Sequence, residues 1–176
     1  MLRINPNIDP ETHPYTTTGL KGEKFGVEPE KAIEIFEKAK TLSNVKIEGI
    51  HIHLGSQITK KEPFIKCAEF IEKFIRKIER KGVYLKYINI GGGLGINYEN
   101  PFKKNKCITP EEWVEIFTSV AELKEKTIII EPGRSVIANA GIIITRILYK
   151  KKSFGKNFYI VDAGMNDFIR PSLYNA

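Results

Sequence analysis

Ile88-Asn89-Ile90-Gly91-Gly92-Gly93-Leu94-Gly95-Ile96 is the stretch whose reading decides the fold. A branched apolar run enters it and four glycines within five positions leave it. That is the pattern of a buried strand opening into a loop that has given up side chains so its backbone can approach something closely. A phosphate suits such a loop, because consecutive glycines turn several N–H groups into one concavity that holds an anion without a charged side chain. A plain tight turn fits the same run, so the weight rests on two other strand ends.

Upstream, residues 46–54 switch to period two, with Ile47, Ile50, Ile52 and Leu54 set against His51 and His53. Positions i and i+2 share a face, so both histidines point toward the strand's inner side before Gly55-Ser56 ends it. Downstream, Thr127 to Ile130 reads as a short buried strand, broken by Glu131-Pro132-Gly133-Arg134. In parallel α/β folds the C-terminal strand ends converge on the functional site, so these three groups are expected to meet in space. Each has a bland alternative: a histidine satisfied within the core, or a Glu131 paired with a neighbouring lysine because a buried unpaired carboxylate is expensive. Two histidines and a glutamate also suggest zinc, but an i, i+2 pair on a strand with no further ligand nearby matches common zinc spacings poorly. No metal is expected.

Between these strands lie helices. Pro29 occupies a first helical position, followed by an apolar face of Ala32, Phe36 and Ala39. Glu62 to Lys81 is the clearest helix, with Ile65, Ala68, Ile71, Ile75 and Ile78 inward, lysines and arginines outward, and Gly82 as its cap. Thr109-Pro110-Glu111-Glu112 supplies an N-cap, a proline and an acidic first turn to a helix burying Trp113, Phe117 and Val120. Residues 5–27, rich in prolines, threonines and glycines, form a long loop of the kind that is often functional. After residue 131 the alternation stops, and Val136 to Leu148 and Phe158 to Val161 read as longer strands with no helix between them. Strand and helix thus alternate through 131 residues and then give way to β-structure, but three or four βα units are too few to close an eight-stranded barrel.

Bulk composition excludes several classes. A chain of 176 residues, 41% hydrophobic and 28% charged, has the composition of a folded domain rather than a disordered tail. The net charge of +7 argues weakly for nucleic acid, since six of 28 basic residues are arginine and the lysines scatter along helix faces. Cys67 and Cys107 make neither a disulfide framework nor a metal site, which suits a reducing cytoplasm. The longest apolar run, Val136 to Leu148, is interrupted by Asn139, Gly141 and Arg146, so neither a signal peptide nor a membrane span is read.

Taken together, His51-Ile52-His53-Leu54-Gly55-Ser56-Gln57, Ile90-Gly91-Gly92-Gly93-Leu94-Gly95, Glu131-Pro132-Gly133-Arg134, and Phe158-Tyr159-Ile160-Val161-Asp162-Ala163-Gly164 through Arg170-Pro171-Ser172-Leu173-Tyr174-Asn175-Ala176 resemble, in order, the motifs of the diaminopimelate decarboxylase family. The stretch His13 to Gly26 resembles a loop of the same family. The histidine, glycine and Glu-Pro-Gly-Arg motifs are shared with ornithine and arginine decarboxylases of the same alanine-racemase-like class; the Arg170 to Ala176 ending favours diaminopimelate.

The resemblance implies a pyridoxal 5'-phosphate enzyme that removes one carboxylate of meso-diaminopimelate to give lysine and carbon dioxide. It assigns Glu131 to the pyridinium N–H and His53 to the ring face, these two as catalytic residues. Ser56, Gly91, Gly92, Gly93, Pro132, Gly133 and Arg134 complete the cofactor site, and Arg134, Arg170 and Tyr174 grip the substrate's carboxylates. The family attaches its cofactor through a lysine in a Lys-Ala-Asn setting that this sequence does not contain. Lys46 and Lys86 sit at the N-terminal ends of their strands, and Lys21 and Lys24 lie in a loop. A later family segment with a cysteine, an acidic residue and a tyrosine, which completes the site across a homodimer, is also unmatched by Cys67 or Cys107.

The expected architecture is therefore α/β: a partial (β/α)8 TIM-type barrel over residues 1–135, its C-terminal half, running into the start of an all-β domain over 136–176. An internal piece of this kind, inactive alone, would leave open strand edges and be prone to associate. Two other readings stand beside it: a relative of ornithine or arginine decarboxylase, and a non-catalytic module binding pyridoxal phosphate or an amino acid.

Overall fold

The computed structural model describes residues 1–12, 18–20, 22, 24–98 and 107–174. The chain divides into two compact units, Met1–Asn139 and Ala140–Ala176.

In the first unit strands and helices alternate: β1 (Leu2–Arg3), α1 (Pro29–Ala39), β2 (Gly49–His51), α2 (Glu62–Glu79), β3 (Tyr87–Asn89), α3 (Pro110–Thr118), a 3-10 turn at Ala121–Leu123, β4 (Thr127–Ile129) and α4 (Arg134–Ile137). The four strands form one parallel sheet in the order β1-β2-β3-β4. Sequential order with helical crossovers is the barrel pattern, so the expectation of a partial barrel is met.

The register explains which side chains the sheet offers. Leu2, Ile50, Ile88 and Ile128 stand in one lateral row and Arg3, His51, Asn89 and Ile129 in the next. Because neighbouring positions alternate faces, the isoleucine row and the polar row lie on opposite sides. Ile50, Ile52, Ile88 and Ile90 join Phe36 of α1, Ile71 and Ile75 of α2, and Trp113 and Phe117 of α3 in a single core. The polar row is left for the site.

The helices follow local rules, with one adjustment. Thr109 accepts from the Glu112 N–H while the Glu112 carboxylate accepts from the Thr109 N–H, a complete capping box ahead of Pro110. Helix α2 buries Phe64, Cys67, Ala68, Ile71, Phe74, Ile75 and Ile78, whereas Ile65 is 37% exposed. One residue turns a helix by about 100°, so Ile65 stands off the stripe that Phe64 and Phe74 join. Gly82 lies beyond the helix's C-cap at Arg80, where the Val83 N–H returns to the Ile78 carbonyl.

Two strand expectations are corrected. β4 is only half-buried and Ile130 is 43% exposed, because β4 is the last strand of the sheet and has a neighbour on one side only. Val136 to Leu148 is not one strand: Val136 and Ile137 close the short helix α4, and Ile142, Ile143 and Ile144 lie outside any strand.

In the second unit β5 (Ile147–Ser153) pairs antiparallel with β6 (Lys156–Val161), followed by α5 (Arg170–Tyr174). The turn fixes that pairing. Phe154 and Gly155 both adopt positive φ, 46° and 77°, as a two-residue hairpin loop requires, so the ladder runs back from Ser153 through three lysines.

Candidate active site

The C-terminal ends of β2, β3 and β4 carry the three motifs to one place, on the face opposite the isoleucine core. The ladder continues past the strands through Ile52 N–H to the Asn89 carbonyl, Ile90 N–H to the Ile129 carbonyl, and Glu131 N–H to the Gly91 carbonyl at 2.7 Å. That last bond seats Glu131 against the glycine loop. A Cβ at Gly92 would overlap the Glu131 carbonyl oxygen, and one at Gly91 would overlap the Ile52 carbonyl. The first two glycines are therefore needed for the close approach of three chain segments.

Side chains lock the same junction. Glu131 Oε1 accepts from Asn89 Nδ2 at 2.8 Å, and Asn89 Oδ1 accepts from the Gly91 N–H at 2.8 Å. His53 Nδ1 accepts from the Gly92 N–H at 3.2 Å, which places the ring's proton on Nε2 and fixes its orientation. His51 Nε2 stands 3.6 Å from Glu131 Oε2, too long for a hydrogen bond, and that nitrogen is buried without a partner. The Glu131 side chain keeps 47% of its surface exposed. Thr18 tethers the long loop to this end through its N–H to the Leu54 carbonyl and its hydroxyl to the His53 carbonyl, each at 3.0 Å.

Charge at the site follows burial. His51 and His53 are both held below the ordinary histidine pKa, chiefly by burial; for His51 the Glu131 charge opposes this, and for His53 the nearby Arg3 cation reinforces it. Burial also pushes the Arg3 guanidinium below its usual value against the pull of Glu131. The inner face therefore carries neutral imidazoles beside one carboxylate and one guanidinium at neutral pH.

The structure brings His53, Gly91, Gly92, Gly93 and Glu131 together. Ser56 follows His53 at the mouth, half-buried, beside Gln57, whose Oε1 accepts from Arg134 Nη1 at 3.0 Å. Pro132 is exposed, and Gly133 has open space where a Cβ would stand. Arg170 and Tyr174 belong to α5 of the second unit, with the guanidinium carbon 5.4 Å from the ring centroid. The ends of the remaining motifs, His13 to Thr17, Lys21 and Asn175-Ala176, lie outside the described residues. Lys46 pairs with Glu48 and Lys86 precedes β3, both away from the glycine end, and Lys24 lies over Phe25. Among the described residues no cluster of three histidine, cysteine or acidic groups stands ready for a metal, and no helix is long and apolar enough to cross a membrane.

Sequence reasoning passed over Asn89, Arg3 and Gln57. Asn89 and Arg3 each sit between two apolar neighbours, and a polar residue alternating with isoleucine next to a glycine loop was the available signal.

Residues 1–138 match the family described as pyridoxal-dependent decarboxylase, pyridoxal binding domain. The chain belongs to that family of decarboxylases. It is 44% identical over 175 residues to the diaminopimelate decarboxylase of Aquifex aeolicus, covering 99% of this chain and 41% of that protein. The crystal structure of diaminopimelate decarboxylase from Helicobacter pylori, complexed with L-lysine, superposes with a TM-score of 0.88 at 44% identity, covering 99% of this chain and 43% of that one. The M. jannaschii enzyme, also in complex with L-lysine, gives 0.84 at 35% identity, covering 99% and 41%. The chain thus spans about two fifths of the length of these relatives.

The site's chemistry fits the family's cofactor. A half-exposed carboxylate has one oxygen held by Asn89 and the other facing an unpartnered imidazole nitrogen. Such a group is an acceptor ready for a cationic N–H. Beside it lie a ring of fixed orientation, a glycine loop, and an open Gly133 next to Arg134.

Proposed function

We propose that this chain forms the cofactor-binding part of a diaminopimelate decarboxylase, which converts meso-diaminopimelate to L-lysine and carbon dioxide. The observation that carries the reading is Glu131, whose carboxylate accepts from Asn89 at 2.8 Å and whose backbone N–H donates to the Gly91 carbonyl at 2.7 Å, at the same strand ends as His53. The choice of diaminopimelate rests on similarity to relatives so named and on the Arg170 to Tyr174 segment.

Pyridoxal 5'-phosphate, when bound, supplies the electron sink that decarboxylation needs. Glu131 would hold a proton on the pyridine nitrogen, since a carboxylate there favours the charged ring. His53, its Nδ1 anchored by Gly92, would cover one ring face. Ser56, the Gly91 to Gly93 loop and the Pro132-Gly133-Arg134 turn would receive the phosphate. Arg134, Arg170 and Tyr174 would orient substrate carboxylates, where arginine's planar fork suits bidentate pairing.

Within this reading residues 1–135 are the barrel portion and 136–176 the crossing into the β-domain. The whole enzyme would be a cytoplasmic homodimer, and the 176-residue chain alone would not turn over, because its sequence lacks the family's Lys-Ala-Asn setting for the covalent lysine. Combining the chain with the flanking segments of the Helicobacter pylori relative should restore carbon dioxide release from labelled meso-diaminopimelate above the flanking segments alone. A folded complex with no release would overturn the proposal.

A further inference from the structure

Among the described residues Asn89, 4% exposed, is the buried polar residue, on the sheet face opposite the isoleucine core. Its side-chain amide meets Glu131 at one end and the glycine loop at the other: Nδ2 donates to Glu131 Oε1 and Oδ1 accepts from the Gly91 N–H, both at 2.8 Å. An amide buried unpaired is costlier than an apolar side chain in the same place, so an isoleucine would serve packing better at this position. The amide stays because both ends are used.

We infer that Asn89 is a positioning residue that couples the glycine loop to the Glu131 carboxylate. By holding Oε1 it leaves Oε2 as the oxygen offered to a cationic N–H, and by holding Gly91 it ties that orientation to the shape of the loop. A ligand that carries an anion at one end and a protonated aromatic nitrogen at the other is then read by one connected device. His51 cannot take this part, since its Nε2 lies 3.6 Å from Oε2 without a hydrogen bond. The inference rests on the proposed function for the ligand's identity, while the coupling itself concerns residues of this chain.

Pyridoxal 5'-phosphate affinity, read by absorbance and by quenching of Trp113 fluorescence, separates positioning from packing in four chains: unsubstituted, Asn89→Leu, Glu131→Gln and the double variant. Asn89→Leu should weaken binding about tenfold on its own and no more than about twofold when Glu131 is already Gln. Equal losses in both backgrounds would mean Asn89 acts independently of Glu131 and would overturn the inference. If Asn89→Leu does not fold, Asn89→Ser, too short to reach Glu131, takes its place in the same cycle. If the unsubstituted chain binds no pyridoxal phosphate, the functional reading fails, and amide hydrogen exchange decides the coupling. Glu131→Ala should then speed exchange at both the Asn89 side-chain amide and the Gly91 N–H, and unchanged rates would overturn it.

Discussion

Arg134 and Gln57, 77 positions apart in sequence, meet through a 3.0 Å hydrogen bond from Nη1 to Oε1. Gln57 also donates from Nε2 to the Ile96 carbonyl at 2.6 Å and accepts the Ile96 N–H at Oε1, 3.2 Å away. One side chain therefore joins the segments that follow β2, β3 and β4. It does so from a left-handed backbone, φ 65°, a conformation that β-carbon sterics disfavour outside glycine.

This conflict between backbone and side chain separates two substitutions. Gln57→Ala should destabilise the first unit by about 2 kcal/mol, losing the bonds and keeping the strained φ. Gln57→Gly loses the same bonds but relieves the strain, and should be more stable than Gln57→Ala by roughly 1 kcal/mol. Trp113, the chain's single tryptophan and 2% exposed in the core of that unit, makes its fluorescence in urea the direct readout.

Two glycines at the strand ends should respond in opposite ways. Gly92→Ala drives a methyl into the Glu131 carbonyl and should cost several kcal/mol or prevent folding of the unit. Gly133→Ala meets open space at φ −116° and should leave stability within about 0.5 kcal/mol. Thermal melts of the two variants side by side check this. A tolerated Gly92→Ala would mean the β3 and β4 ends are farther apart than described.

Acid should loosen the site through its histidines. His53 is held below the ordinary value of 6.5 by burial and the Arg3 charge, so the unfolded chain takes up a proton at a higher pH than the folded one does. Its contribution is complete above about pH 6.5 and is lost as pH falls through that value toward the folded pKa. His51 acts in the same direction. Protonation also removes the Nδ1 lone pair that accepts from Gly92. Urea stability should therefore fall between pH 7 and pH 5, and His53→Gln, which cannot titrate, should flatten part of that slope. An unchanged slope would place the titrating groups elsewhere.

The cap of α3 gives a local control away from the site. Thr109→Ala removes the acceptor for the Glu112 N–H and should cost about 1 kcal/mol, whereas Thr109→Ser should be nearly neutral. Chemical denaturation followed at Trp113, four residues into the capped helix, would register either outcome.

Much of this architecture was legible because it repeats simple periods. The histidine strand, the glycine loop and the Glu-Pro-Gly-Arg turn announce three strand ends by composition, and parallel topology brings them together. Asn89 was lost because Ile88-Asn89-Ile90 reads as one apolar run, although its alternation is what puts an amide on the site face. The isoleucines at 142–144 misled in the other direction: β-branched residues favour strands, but a strand exists only where a partner pairs with it. The partner's register is set by the Phe154-Gly155 turn, which draws Lys150, Lys151 and Lys152 into β5 and leaves the isoleucines out. Arg134's partner could not be read at all, since the bond it donates to Gln57 links the segments after β4 and β2 and depends on a left-handed residue.

Titrating the purified chain with pyridoxal 5'-phosphate, then treating with borohydride and weighing the product, tests the central claim most directly. The account predicts saturable binding, weakened in Glu131→Gln, with no site-specific lysine adduct after reduction, because on the proposed reading the chain would supply the ring and phosphate contacts without the covalent lysine. A site-specific lysine adduct, or no saturable binding at all, would contradict it.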